Sequence, residues 1–250
     1  MMYFADPLKL YILASIAIFI ALSGCLFLWK DSSNVAHSVA HASSFPIALS
    51  LFSVHIKYEI ASVVIVVIFL LLWHFFEKYS NLTRNMIISV LGNVLMIAGI
   101  LLDLVAHKST GINTYLIGDI FLASFRDATI LLLITLGIFA YFSLKYRQIL
   151  LAIIYKRGGN YLMIFLGLVG LLMTCKMIGM LASSLLFILI PATAKNISRS
   201  IGDMIGKSLV ISFVVIYLSY FLTIYFDFYF LCFLALTSLI LFVFSNLFRN

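Results

Sequence analysis

Apolar runs separated by short polar links repeat along the whole chain. A bilayer crossing needs about 20 consecutive apolar residues, and the runs predict spans near 10–29, 34–54, 59–76, 86–105, 128–144, 208–226 and 228–244. The stretch 161–194 is too long for one untilted helix and short for two, and it is expected to break at Lys176-Met-Ile-Gly179. Residues 106–127 contain no clean span; a polar half, His107 to Thr114, precedes Tyr115-Leu-Ile-Gly118-Asp119-Ile, which reads as an interfacial or re-entrant segment. The pattern predicts an all-α polytopic membrane protein of eight to nine transmembrane helices, forming one domain over residues 1–250.

Composition closes off the soluble classes. Hydrophobic residues make up 64% of the chain and charged ones 10%, against about 25% charged in a typical soluble domain. The net charge of +7 is therefore read as loop asymmetry and not as a nucleic-acid footprint. The most basic loop holds Lys145, Arg147, Lys156 and Arg157, and basic loops stay cytoplasmic. Alternation from it places Glu77–Arg84 and Lys30–Ser33 inside, with Met1 and the Asp227 turn outside. Cys25, Cys175 and Cys232 lie in apolar runs and read as packing residues.

Two motifs are near misses. Leu22-Ser-Gly-Cys25 looks like a lipoprotein cleavage box, but the apolar run continues through Trp29 to a full span. Gly202-Asp-Met-Ile-Gly206-Lys207-Ser208 is one residue short of a phosphate-binding loop and has no feeding strand, so Gly202 and Gly206 read instead as points of close helix packing.

The anomaly lies in the second span, Asn34-Val-Ala-His37-Ser-Val-Ala-His41-Ala-Ser-Ser-Phe-Pro46. His37 and His41 are four residues apart, so a helix stacks them on one face. Two imidazoles at that spacing suit a borderline-soft divalent cation. Hydrocarbon penalises such groups, which marks them as functional candidates, whereas neutral histidines bonded to neighbouring helices are the plain alternative. Pro46 is expected to kink or interrupt the helix. In the fourth span, Asn93 needs a partner or a lumen, and Gly92 and Gly99 permit close approach.

The motifs, in order, resemble the permease subunits of bacterial ATP-binding-cassette importers for zinc, manganese and iron. The likeness starts at Gly24 and Trp29 and passes through Val39-Ala-His41-Ala-Ser43 and Tyr115-Leu-Ile-Gly118-Asp119-Ile. It is most specific at Ile178-Gly179-Met-Leu and Ile188-Leu-Ile-Pro191-Ala-Thr-Ala194. The resemblance implies a type II importer-like permease in the bacterial cytoplasmic (inner) membrane. Its implied partners are a second copy of itself, a cytoplasmic ATPase dimer that does the hydrolysis, and an extracytoplasmic metal-binding protein. No resident cofactor is expected; the divalent metal, zinc ahead of manganese or iron, is cargo. Pro191 to Lys207 looks like the ATPase-coupling segment, with Pro191 setting the entry angle and Lys195, Arg199 and Lys207 offering charged contacts. In this scheme His37 and His41 form a waypoint, Asp119 stands at the outer mouth and Asn93 lines the pore.

The chain departs from the family pattern where Gly-Asp becomes Ala36-His37, which replaces a carboxylate by imidazole and favours zinc over manganese. It also lacks the family's Pro-Ala-Gly-Pro loop. Two alternatives stand beside this reading: a degenerate permease paralogue with an assembly or regulatory role, which these departures suggest, and an intramembrane metalloenzyme using the two histidines as ligands. The second lacks an evident third ligand and general base.

Overall fold

The computed structural model describes residues 6–29, 33–52, 56–80, 82–105, 118, 120, 123–154 and 161–247. Eleven α-helices and no strand occur among them: α1 Pro7–Trp29, α2 Ser33–Ala42, α3 Ser44–Phe52, α4 Tyr58–Tyr79, α5 Arg84–Val105, α6 Phe125–Leu144, α7 Tyr146–Ile154, α8 Tyr161–Ile178, α9 Met180–Ile197, α10 Ile201–Phe226 and α11 Phe230–Leu247. Eight helices, with α2 and α3 counted as one, are long and apolar enough to cross a bilayer, and Leu162–Ile178 is a shorter apolar helix. Most of the interfacial segment, together with Asp119, Lys156 and Arg157, lies outside the described residues.

Burial sorts the helices into an inner and an outer set. α1 is apolar all round and packs against α6, α9 and α10, with Ile12, Ile16, Phe19 and Ile20 fully enclosed. A helix hydrophobic on every face belongs inside. By contrast α4, α5, α6, α10 and α11 each keep an exposed apolar face, such as Val90, Val94 and Leu101 on α5, as lipid contact requires.

Two breaks shape the inner set. The second span is interrupted at Ser43, three residues before the expected Pro46. Pro46 falls in the first turn of α3, where a missing N–H costs no intrahelical bond, and the Ser43 carbonyl accepts the Ile47 N–H at 3.3 Å. The long run 161–194 breaks where expected. Gly179 has φ +89°, a left-handed value that glycine adopts without a Cβ penalty, and it faces Gly118, which also has positive φ and whose position admits no side chain against the Ile178–Gly179 backbone.

Elsewhere the extents differ from expectation. The basic loop contains the helix α7, on which Ile149 is buried while Arg147, Gln148 and Leu151 are exposed. α10 begins at Ile201, seven residues before the expected Ser208, because Ser200 caps it by accepting the Asp203 N–H at 3.2 Å. Gly202 and Gly206 do not mediate packing within the chain: a Cβ at either meets nothing within 4 Å.

Small residues set the closest approaches in the inner set. A Cβ at Gly92 would fall 2.6 Å from the Ser38 carbonyl oxygen, and one at Gly99 would fall 2.6 Å from the Phe45 nitrogen. Chain order rises together along both helices, so α5 runs parallel to α2–α3. Gly24 on α1 receives Pro191 of α9 in the same way, with 2.6 Å to the proline Cγ.

Charges inside the bundle are handled in two ways. Lys176 Nζ donates to Asp127 Oδ1 at 2.7 Å and lies 5.4 Å from the Tyr58 ring centre, while the Tyr58 hydroxyl donates to the Leu172 carbonyl at 2.6 Å. This ties α4, α6 and α8 together through a paired charge, as burial requires. Asp103 differs. It lies on the α5 face of Gly92 and Gly99, one turn beyond Gly99, is 6% exposed, and its Oδ1 has no hydrogen-bond partner among the described residues.

Three substitutions read these features out in stability. Gly99→Ala forces backbone apart and should cost about 1–3 kcal/mol, whereas Gly206→Ala should be neutral or stabilising by up to about 1 kcal/mol through helix propensity; thermal unfolding in detergent reads both. Asp103→Leu relieves an unpaired buried oxygen and should raise stability by about 1–3 kcal/mol, and a fall in the same assay would show that the carboxylate is bonded.

Candidate metal site on the α2–α5 flank

α2 is a ten-residue helix of small and β-branched residues around two imidazoles. Val35, Ala36, Val39 and Ala40 are buried, whereas Asn34 and His37 are exposed and His41 is half-buried. One flank of an otherwise enclosed helix is therefore open, and both histidines stand on it.

Their geometry is convergent. The Nε2 atoms are 3.1 Å apart, and the rings are nearly perpendicular at 89° with centres 4.5 Å apart. In a direct hydrogen bond one Nε2 would carry the proton and the other the lone pair. A tetrahedral cation with bonds of roughly 2.0–2.1 Å would hold two nitrogens about 3.3 Å apart, so the pair needs to open by only a few tenths of an ångström to share one. His41 Nδ1 is buried with no partner among the described residues. A tightly held metal-bound imidazole normally donates its second N–H to an oriented acceptor. Lacking it, this pair is suited to transient and not structural coordination.

The parallel register identifies what stands opposite. In two parallel right-handed helices, the residue after the contact on one and the residue before it on the other project to the same side. With Gly92 against Ser38, Asn93 and His37 share a flank, and Asn93 falls at a level between His37 and His41. Ser89 and Met96 follow on the same side. Burial agrees: Ser89 and Asn93 are exposed and Met96 is half-buried, while Val35, Val39, Ile88, Leu91 and Leu95 on the other side of the seam are buried. Ser44 pins the register, its hydroxyl lying 3.2 Å from both the His41 and the Met96 carbonyls. Among the described residues no cluster of three or more His, Cys, Asp or Glu side chains forms within the chain.

The structure thus brings His37 and His41 together and places Asn93 on their flank. Asp119 is outside the described residues. Asp103 was missed in the sequence reading, although an ionisable side chain in an apolar span is itself a signal. Met96 and Ser89 carry no such signal, since their alignment with the histidines depends on the register.

The expected coupling residues separate. Pro191 is buried inside α9 against Gly24, well before the junction that it was expected to open. α9 continues to Ile197, and only Ser198–Ser200 separate it from α10. Lys207 is engaged at this junction, donating to the Ile197 carbonyl at 2.6 Å and to Asp203 Oδ2 at 2.7 Å, while the Arg199 N–H donates to the same carboxylate at 3.0 Å. Asn196 reaches Ser245 and Asn246 of α11 at 3.1 and 3.2 Å. The corner is rigid, and the side chains of Lys195 and Arg199 point outward from it, both exposed.

Comparison with known proteins agrees with this architecture. The chain is similar in fold to a chain of PsaBC from Streptococcus pneumoniae, solved in complex with Fab: TM-score 0.84, 21% identity, covering 98% of this chain and 91% of that one. No curated protein matches it in sequence. The model of the ABC 3 transport family matches residues 8–249. With nearly the whole sequence matched and the helical membrane fold in place, the chain belongs to the ABC 3 transport family, the metal-importer permeases that its motifs resemble.

Proposed function

We propose that this chain is the permease subunit of an importer that carries a divalent transition metal, zinc in the first place, inward across the bacterial cytoplasmic membrane. The observation that carries the reading is the polar flank of the α2–α5 seam. Asn34, His37, Ser89 and Asn93 are exposed on helices that otherwise present apolar side chains to their surroundings. Hydrocarbon satisfies none of these groups, so the flank faces a wet passage, which a second copy of the chain would complete.

The donor set supports zinc. It comprises imidazole nitrogens without a carboxylate among the described neighbours, and that chemistry suits zinc better than the harder manganese ion. Two donors bind weakly enough to release, as conduction requires. Energy would enter from a cytoplasmic ATPase dimer through the rigid α9–α10 corner, with the exposed Lys195 and Arg199 as contacts, and cargo would arrive from an extracytoplasmic metal-binding protein. A rigid corner suits this role because it can bias inward- against outward-facing states only if it does not yield itself.

In cells that rely on this permease, His37→Ala and His41→Ala should each lower the rate of radiolabelled zinc uptake by at least about tenfold, the loss that removing even a ligand's hydrogen-bonding partner causes, with the protein still present in the membrane. Uptake at the unaltered rate in both variants would overturn the waypoint.

A further inference from the structure

The proposed waypoint leaves one neighbour without a role. Met96 stands on the flank of His37 and His41, and Ser44 lies 3.2 Å from the carbonyls of both His41 and Met96. The Gly92–Ser38 register puts Met96 at the level of Ala42. Helix side chains lean toward the N-terminus, so a residue covers the surface about one position before its own Cα. A methionine at this level therefore leans back toward His41 and Asn93. It is half-buried and packed against the hydrophobic core, and its three rotatable bonds would let the thioether turn from that packing toward the paired nitrogens.

We propose that Met96 supplies a third donor to the histidine pair, creating a station of two nitrogens and one sulfur that accepts cuprous copper more tightly than the divalent cargo. This inference rests on the reading of His37 and His41 as a metal waypoint and adds a soft ligand to it. Thioether sulfur selects monovalent copper, contributes little to zinc and less to manganese, and three donors suit the low coordination numbers of a soft monovalent ion. No charge from the protein is required, in keeping with a site where no carboxylate is grouped with the imidazoles among the described residues. The functional consequence is competition: reduced copper would occupy the passage and slow the flow of zinc.

The test uses the purified full-length chain in lipid nanodiscs, titrated anaerobically with cuprous copper against a chromophoric chelator and separately with zinc. Met96→Leu conserves volume and keeps the packing of α5. It should weaken copper binding by about tenfold or more while changing zinc binding by less than about twofold, and X-ray absorption at the copper edge should show a sulfur neighbour in the unaltered protein that Met96→Leu lacks. Unchanged copper affinity, an absent sulfur neighbour, or an equal loss for both metals would overturn the role of Met96. His37→Ala and His41→Ala separate the two claims. If they abolish zinc binding while Met96→Leu leaves copper untouched, only the thioether role fails; if they leave both metals bound as before, the underlying waypoint fails as well.

Discussion

Hydrocarbon offers no hydrogen bonds, and that constraint governs every polar side chain in this bundle. Most comply locally: Ser15, Ser23, Thr135, Ser183, Thr193 and Ser219 each return their hydroxyl to a carbonyl of the preceding turn. Lys176 and Asp127 comply by pairing. The α2–α5 flank does not comply within one chain, because His37, Ser89 and Asn93 stand open on it.

The flank exists because of how the two helices meet. Glycines at 92 and 99 bring α5 onto the backbone of α2 and α3, and a close parallel seam leaves two sides of unlike character. Valine and leucine fill the inward side, while imidazole, amide and hydroxyl groups occupy the outward one. The Ser43 break separates α3 from α2 while Ser44 holds the register against Met96. On the far side of α9 the corner at Ser198–Ser200 is cross-linked by Lys207, Asp203 and Asn196, so that a push from outside the membrane would move α9 and α10 as one body. Through Pro191 and Gly24, α9 also bears on α1 at the centre of the fold.

Much of this was legible in the sequence. Lipid demands long apolar runs, and their lengths gave nearly all the spans; Lys176-Met-Ile-Gly179 in an overlong run marked the break at Gly179, and the i, i+4 histidines announced themselves as polar groups out of place. What escaped was whatever depends on register. Asn93 showed as an isolated amide, but Ser89 and Met96 are ordinary in a membrane helix until the Gly92–Ser38 contact places them opposite the imidazoles. The proline rule pointed to Pro46 as the break, yet a proline fits a helix's first turn, and the chain breaks before it. Gly202 and Gly206 matched the pattern of packing glycines, a pattern that cannot say which face of α10 is turned inward. The family likeness placed Pro191 at the entry of the coupling segment; the chain holds it inside α9, as neighbouring helices in a membrane allow.

The central claim is that the histidine-bearing side of the α2–α5 seam meets water and the adjacent side of α5 meets lipid. Cysteines introduced one at a time by Asn93→Cys and Val94→Cys in the full-length protein in membrane vesicles, with Cys232→Ser removing the exposed native thiol, test it with a hydrophilic thiol reagent. The account predicts rapid labelling at 93, slowed by bound zinc, and little labelling at 94; equal protection of both positions, or labelling at 94 alone, would contradict it.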